Sequence, residues 1–191
     1  MRAQTDTRSR IQDIAVRLFS EKGYEATSLR EIAEALGMTK AALYYHFRTK
    51  EDIISSLVQD RITYLDELIA WARRQPQTPE TRREVIRRYA EGLRQGRHKD
   101  VMRLMDSNQA SLARHPKIVE VHGKIFELID VLCGPDATLA DRLRGMLALV
   151  SLHTVWFLPD GAAPQERVAA ALEVADELIE RAALPSPGDA R

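Results

Sequence analysis

Apolar residues recur at helical spacing along almost the whole chain, and no stretch alternates with period two for long enough to make a half-buried strand. A chain patterned in this way has to bury helix against helix, so the pattern predicts an all-α fold of about nine helices. The first helix is expected from about Thr7 to Lys22, where Ile11, Ile14, Ala15, Leu18 and Phe19 form one stripe and Gly23 follows as a C-cap. Two short helices fit between Ser28 and Phe47, with Gly37 as the break. Longer segments follow at about Lys50 to Arg74, Glu80 to Gln95, Lys99 to Arg114, Pro116 to Leu132 and Thr138 to Phe157. The last, about Pro164 to Ala183, has the cleanest stripe: Val168, Ala171, Leu172, Ala175, Leu178, Ile179 and Ala182. The stretch Gln75 to Pro79 and the pair Gly134-Pro135 are natural interruptions.

With 191 residues, 45% of them hydrophobic, the chain can bury a real core. Its 28 Lys/Arg and 28 Asp/Glu cancel, so overall charge points to no polyanion. Local charge is more informative. Residues 1 to 50 carry 9 Lys/Arg against 6 Asp/Glu, an excess of three, which makes this quarter the candidate for a surface that faces phosphates. The lone Cys133 has no internal disulfide partner and suits either a small buried residue or a redox-sensitive thiol. The polar start of the chain lacks an apolar signal core, and no run reaches the roughly 18 to 20 apolar residues of a membrane span, so a cytoplasmic location is expected.

Ser28-Leu29-Arg30-Glu31 has the spacing of a capping box: a hydroxyl that accepts from the backbone three residues on, and a carboxylate that reaches back. A helix should start there, with Ile32, Ala33 and Leu36 on its inner side. Gly37 supplies a positive φ for a sharp turn, and Thr39 then caps a second short helix that sends Leu43 and Phe47 inward. That leaves Lys40, Ala41, Tyr44 and Tyr45 for an outer surface. A short, capped, exposed helix of this kind fits the major groove of DNA, where residues of its first turns reach base edges. The hydroxyls of Ser28 and Thr39 and the N–H groups at both helix starts suit phosphate contacts, with Arg30 close by and Tyr45, His46 and Lys50 extending the strip. Arg30 equally suits a merely solvated position, and Tyr45 and His46 suit either phosphate contact or packing near the next helix.

The run from Thr27 to Phe47, followed by Lys50-Glu51, resembles the TetR family of bacterial regulators, and the resemblance extends over about Arg8 to Leu57. It implies a DNA-binding transcriptional regulator. Ser28 and Thr39 would touch phosphates, Arg30 and Lys40 would approach bases, Tyr44, Tyr45 and His46 would line the backbone contact, and Lys50 would close the strip. Family members commonly have Gly at the position of Ala41. Its methyl either restricts approach to the bases or contacts a thymine methyl, which bears on base preference.

One helix-turn-helix reads only a short half-site, so a homodimer on a palindromic operator is expected. The resemblance places that interface in the last two helices, here Leu143 to Trp156 and Val168 to Ile179. It also implies repression relieved by a small-molecule effector, held in the larger helical domain. Candidate pocket residues are Tyr89, Met102, Met105, Asn108, Gln109, Phe126, His153 and Trp156, because Met and aromatic side chains adapt to apolar ligands and amides orient them; Asn108 and Gln109 suit solvent as well. The expected organisation is a three-helix DNA-binding domain at 1–50, a helical ligand-binding and dimerisation domain at 51–185, and a flexible tail at 186–191. His115 and His122 lie two turns apart without further metal-ligand spacing, and no nucleophile motif or phosphate-binding glycine loop stands out, so no metal, cofactor or catalysis is expected. The competing readings are an interaction module without DNA binding and a helical enzyme.

Overall fold

The computed structural model describes residues 2–94, 98–155, 158 and 161–182. Trp156 and the expected tail at 186–191 lie outside the described residues. Among those described, the order is α1 (Arg2–Lys22), α2 (Leu29–Ala35), α3 (Lys40–His46), α4 (Lys50–Ala72), α5 (Pro79–Arg94), α6 (His98–Ser107), α7 (Gln109–Leu112), α8 (Pro116–Cys133), α9 (Leu139–Thr154) and α10 (Pro164–Ala182). Nine of these run for seven residues or more and α7 is a single turn. No described residue is in a strand, and no helix is long and apolar enough to cross a membrane.

Two boundaries differ from the sequence expectation. Helix α1 begins at Arg2 rather than near Thr7, and the intervening residues contain no glycine or proline to stop it. The segment expected as one helix from Lys99 to Arg114 is broken at Asn108, whose backbone (φ −127°, ψ 26°) leaves the helical region. The cause is its side chain, which is bonded elsewhere.

The chain divides into two compact units, the described residues of Met1–Ile62 with Gly96–His122, and of Thr63–Gln95 with Gly123–Arg191. Helices α4 and α8 each give their first part to one unit and their remainder to the other. In the first unit α1 packs on α2 and α6, and α2 packs on α3. Ile11, Phe19, Ile32, Leu43, Phe47, Ile53, Ile54 and Leu104 are among its largest buried side chains. Burying each such side chain stabilises by about 1.5–3 kcal/mol, so the short helices α2 and α3, too short to persist alone, are held by tertiary packing.

In the second unit α9 and α10 pack along one another and α5 packs on both. Its core is built from Leu65, Ile69, Ile86, Tyr89, Leu128, Ala148, Leu149 and Ala175. The outer stripe of α9 stays open: Leu139, Leu143, Leu147 and Val150 are exposed, as is Val174 on α10. Cys133 is half-buried with its thiol toward the Asp141 carbonyl at 3.4 Å, and burial pushes its pKa up, which disfavours the reactive thiolate.

Candidate nucleic-acid interface

Helix α2 starts with the complete capping box. The Ser28 hydroxyl accepts the Glu31 N–H at 3.2 Å, and the Glu31 carboxylate accepts the Ser28 N–H at 2.8 Å. That bond, together with the Lys22 ammonium at 3.0 Å, holds the Glu31 carboxyl at about 2, against an ordinary value of 4.5. One residue earlier, the buried Thr27 hydroxyl donates to the Gly23 carbonyl at 2.9 Å and anchors the approach to the cap.

The far end of α2 closes as a Schellman motif. The Met38 N–H bonds the Ala33 carbonyl at 3.0 Å and the Gly37 N–H bonds the Glu34 carbonyl at 3.1 Å. Gly37 sits at φ +65°, and a Cβ there would meet nothing within 4 Å. Glycine is therefore needed for its dihedral angle and not for space. Thr39 follows at once as N-cap of α3, its hydroxyl accepting the Ala42 N–H at 3.2 Å.

Helix α3 buries Leu43 and is otherwise turned outward. Lys40, Ala41, Tyr44 and Tyr45 are all exposed, Tyr45 at 74% and Tyr44 at 41%. The Lys40 ammonium lies 5.3 Å from the centre of the Tyr44 ring, so cation and aromatic form one contact patch. The Tyr45 ring stands edge-on to that of the half-buried His46, 5.3 Å between centres. Ser28 and Arg30 are exposed on α2, where Arg30 pairs with Glu34 at 2.7 Å. A surface pair of this kind is weak and readily exchanged for a phosphate partner.

Two contacts that hold α3 have no local signal in the sequence. The Arg8 guanidinium, from α1, stacks 4.2 Å from the centre of the buried Phe47 ring and donates to the His46 carbonyl at 3.2 Å. It thereby places a cation at the negative end of α3. Arg8 thus braces α3 from α1.

Lys50 departs from the strip expected of it. Its ammonium donates to the carbonyls of Tyr24 at 2.7 Å and Glu25 at 3.3 Å and lies over the Tyr24 ring. The Tyr24 hydroxyl in turn donates to Glu51 at 3.0 Å; burial, with the Glu51 carboxylate beside it, pushes the phenol well above its ordinary range. Lys50 and Tyr24 thus lock the α1–α2 turn onto the start of α4.

The pocket candidates separate. Met102 and Met105 are half-buried on α6, Gln109 is exposed on α7, and all three lie in the first unit with Asn108. Asn108 is buried and every polar group of its side chain is bonded within the protein, which removes it from any ligand-binding role. In the second unit the Tyr89 hydroxyl lies 2.7 Å from His153 Nε2, whereas Phe126 points outward at 55% exposure. His115 is buried in the first unit. Its Nδ1 accepts the Lys117 N–H at 3.2 Å, leaving Nε2–H toward the Glu51 carbonyl at 3.4 Å. Among the described residues no three His, Cys, Asp or Glu side chains gather as a metal site.

Two capped helices joined by a tight glycine turn, the second presenting Lys40, Ala41 and Tyr44 outward, define a helix-turn-helix module of the kind that docks in DNA. Residues 11–57 match the family model described as bacterial regulatory proteins, tetR family. The likeness to that family model is carried by the N-terminal quarter of the chain.

Among curated relatives, the HTH-type transcriptional regulator AcrR of Shigella flexneri is 50% identical over 52 residues, covering 27% of this chain and 24% of that protein. The IcaR protein of Staphylococcus aureus (strain Newman), named as the negative transcriptional regulator of the biofilm operon icaADBC, is 44% identical over 62 residues, 32% of this chain and 33% of that protein. The matched part thus spans only a quarter to a third of these relatives. Solved structures extend the likeness. AmtR of Mycobacterium smegmatis gives a TM-score of 0.60 at 26% identity over 92% of both chains. PfmR of Thermus thermophilus gives 0.58 at 26% identity over 90% of this chain and 97% of that one.

Proposed function

We propose that this protein is a sequence-specific DNA-binding transcriptional regulator, a homodimeric repressor released from a palindromic operator by a small-molecule effector. The observation that carries the reading is the outer face of α3, a capped helix with its apolar side buried and Lys40, Ala41 and Tyr44 turned outward. Relatives named as transcriptional regulators, one of them a negative regulator, support regulation over catalysis and repression over activation.

In this reading residues 1–50 carry DNA recognition and residues 51–185 carry effector binding and dimerisation. Ser28, Thr39 and Tyr45 bind phosphates, Arg30 and Lys40 approach base edges, and the Ala41 methyl meets a thymine methyl. Tyr44 lies over the backbone beside Lys40, His46 flanks it, and Lys50 contributes by holding the α1–α2 turn. The exposed row Leu143, Leu147 and Val150, with Val174, supports a second copy docking on the last two helices. The effector is assigned to the second unit, where the Tyr89–His153 pair offers a polar anchor within an apolar interior. A DNA target and a single cysteine fit the cytoplasm.

Selecting bound duplexes from a random pool tests the reading. The expected product is a palindrome whose half-sites lie one helical turn or a multiple apart, bound with steep salt dependence. Lys40→Ala should weaken it by about 1–3 kcal/mol and relax the base preference at the position it approaches. If no duplex shows saturable, sequence-dependent binding at low salt, DNA recognition is refuted and a helical interaction module takes its place.

A further inference from the structure

Asn108 lies 84 residues downstream of Tyr24, yet its side chain completes the end of α1. Its Oδ1 accepts the Tyr24 N–H at 2.6 Å. Its Nδ2 donates to the Phe19 carbonyl at 3.1 Å and the Leu104 carbonyl at 2.9 Å, with the Ser107 hydroxyl oxygen beside it at 3.1 Å. The ends of a helix leave backbone groups without intrahelical partners, and caps are ordinarily supplied by neighbouring residues. Here the cap comes from a residue 84 positions farther along the chain. The helical pattern through Lys99 to Arg114 is broken at Asn108 to allow it.

The corner it grips is the one from which the reading head is hung. Phe19 and Tyr24 pack edge to face, 5.2 Å between ring centres, and both are buried. The Tyr24 carbonyl and hydroxyl hold Lys50 and Glu51 at the start of α4. Thr27 ties the next residues back to Gly23 and Leu18 just before the α2 cap. Farther back along α1, Arg8 holds the carbonyl end of α3. A shift of the α1 end is therefore felt at both helices of the helix-turn-helix. We infer that Asn108 is a positioning residue for DNA reading: through the α1 end and the Tyr24 amide it fixes the orientation of α2 and α3, without touching DNA itself. The inference rests on the DNA-binding reading above.

The test uses the full chain, the duplex selected by wild-type protein and an unrelated duplex of equal length. Asn108→Ala removes the accepted bond from Tyr24 and both bonds donated by Nδ2. Asn108→Asp keeps an acceptor for the Tyr24 N–H but sets a carboxylate oxygen against the Phe19 and Leu104 carbonyls. For either variant, affinity for the selected duplex should fall by about ten-fold or more. The salt slope and the low-salt affinity for the unrelated duplex should stay within about two-fold, because the phosphate contacts are intact. A second measurement needs no variant. Amide exchange at Tyr24 in wild-type protein should slow on adding the selected duplex and not the unrelated one, since coupling between DNA and the Asn108 bond is reciprocal. Wild type that selects no duplex overturns the DNA reading and this inference with it. Wild type that binds while both folded variants keep full affinity, or a Tyr24 amide whose exchange ignores the selected duplex, overturns the inference alone.

Discussion

Replacing Leu147 by glutamate places a carboxylate in the centre of the exposed row on α9, and the outcome can be estimated from the exposures. Leu143, Leu147, Val150 and Val174 are 55, 46, 42 and 47% exposed. Complete burial of such a side chain stabilises by about 1.5–3 kcal/mol, so covering the exposed half of each gives about 1 kcal/mol. Over two copies these residues supply about 8 kcal/mol, the same order as the cost of association. Dimerisation is therefore poised, and one central loss should be visible. Leu147→Glu removes about 2 kcal/mol of burial from the pair of subunits and adds the cost of two desolvated like charges, for a total of about 3–5 kcal/mol. That corresponds to a dimer Kd raised by about 100- to 3,000-fold. Sedimentation over a range of concentrations reads the change directly. Helix content should stay close to that of wild type, because Leu147 sits on the exposed row of α9 and not among the fully buried side chains. Operator binding should depend more steeply on protein concentration than it does for wild type. A Leu147→Glu protein that sediments as wild-type dimer and binds with wild-type affinity would show that this face is not the interface.

The α2 capping box should leave a signature in acid. Because the Glu31 carboxyl is depressed to about 2 from an ordinary 4.5, its contribution is complete above about pH 4.5 and is lost as pH falls through about 2. Thermal unfolding followed from pH 5 to pH 2 should show a smaller decline for Glu31→Gln than for wild type; identical declines would remove Glu31 from the cap's energetics. Between α8 and α9, a Cβ on Gly145 would come within 2.7 Å of the Cys133 sulfur. Alanine there gains about 1 kcal/mol of helix propensity and incurs about 1–3 kcal/mol of overpacking. Gly145→Ala should thus destabilise wild type by up to about 2 kcal/mol, yet stabilise a Cys133→Ala protein. Urea unfolding of the four-protein cycle measures the coupling, and strict additivity would show that the two helices separate freely at this point.

The residues that make the helix-turn-helix are legible in the chain itself because each of its devices closes within a few positions. Ser28 with Glu31, Gly37 with Glu34, and Thr39 with Ala42 are bonds across three residues, governed by backbone geometry that sequence spacing reports directly. The buried sides of α1, α2 and α3 follow from periodicity for the same reason. Periodicity also brings out the apolar row on α9, but not whether neighbouring helices cover it.

What the tertiary structure decided are the fates of polar side chains whose partners are far away in the chain. Asn108 reads as an amide that suits either a ligand pocket or solvent; the fold hands it to Phe19 and Tyr24. Lys50 reads as one more surface cation, and the fold turns it onto the Tyr24 carbonyl. Arg8 reads as a basic residue of a polar N-terminal stretch, and the fold makes it the brace of α3. For Asn108 and Lys50 the deciding term is a buried or half-buried backbone N–H or carbonyl that would otherwise lack a partner, and for Arg8 it is the ring of Phe47 beside the exposed carbonyl end of α3. Such a debt exists only once the helices have packed.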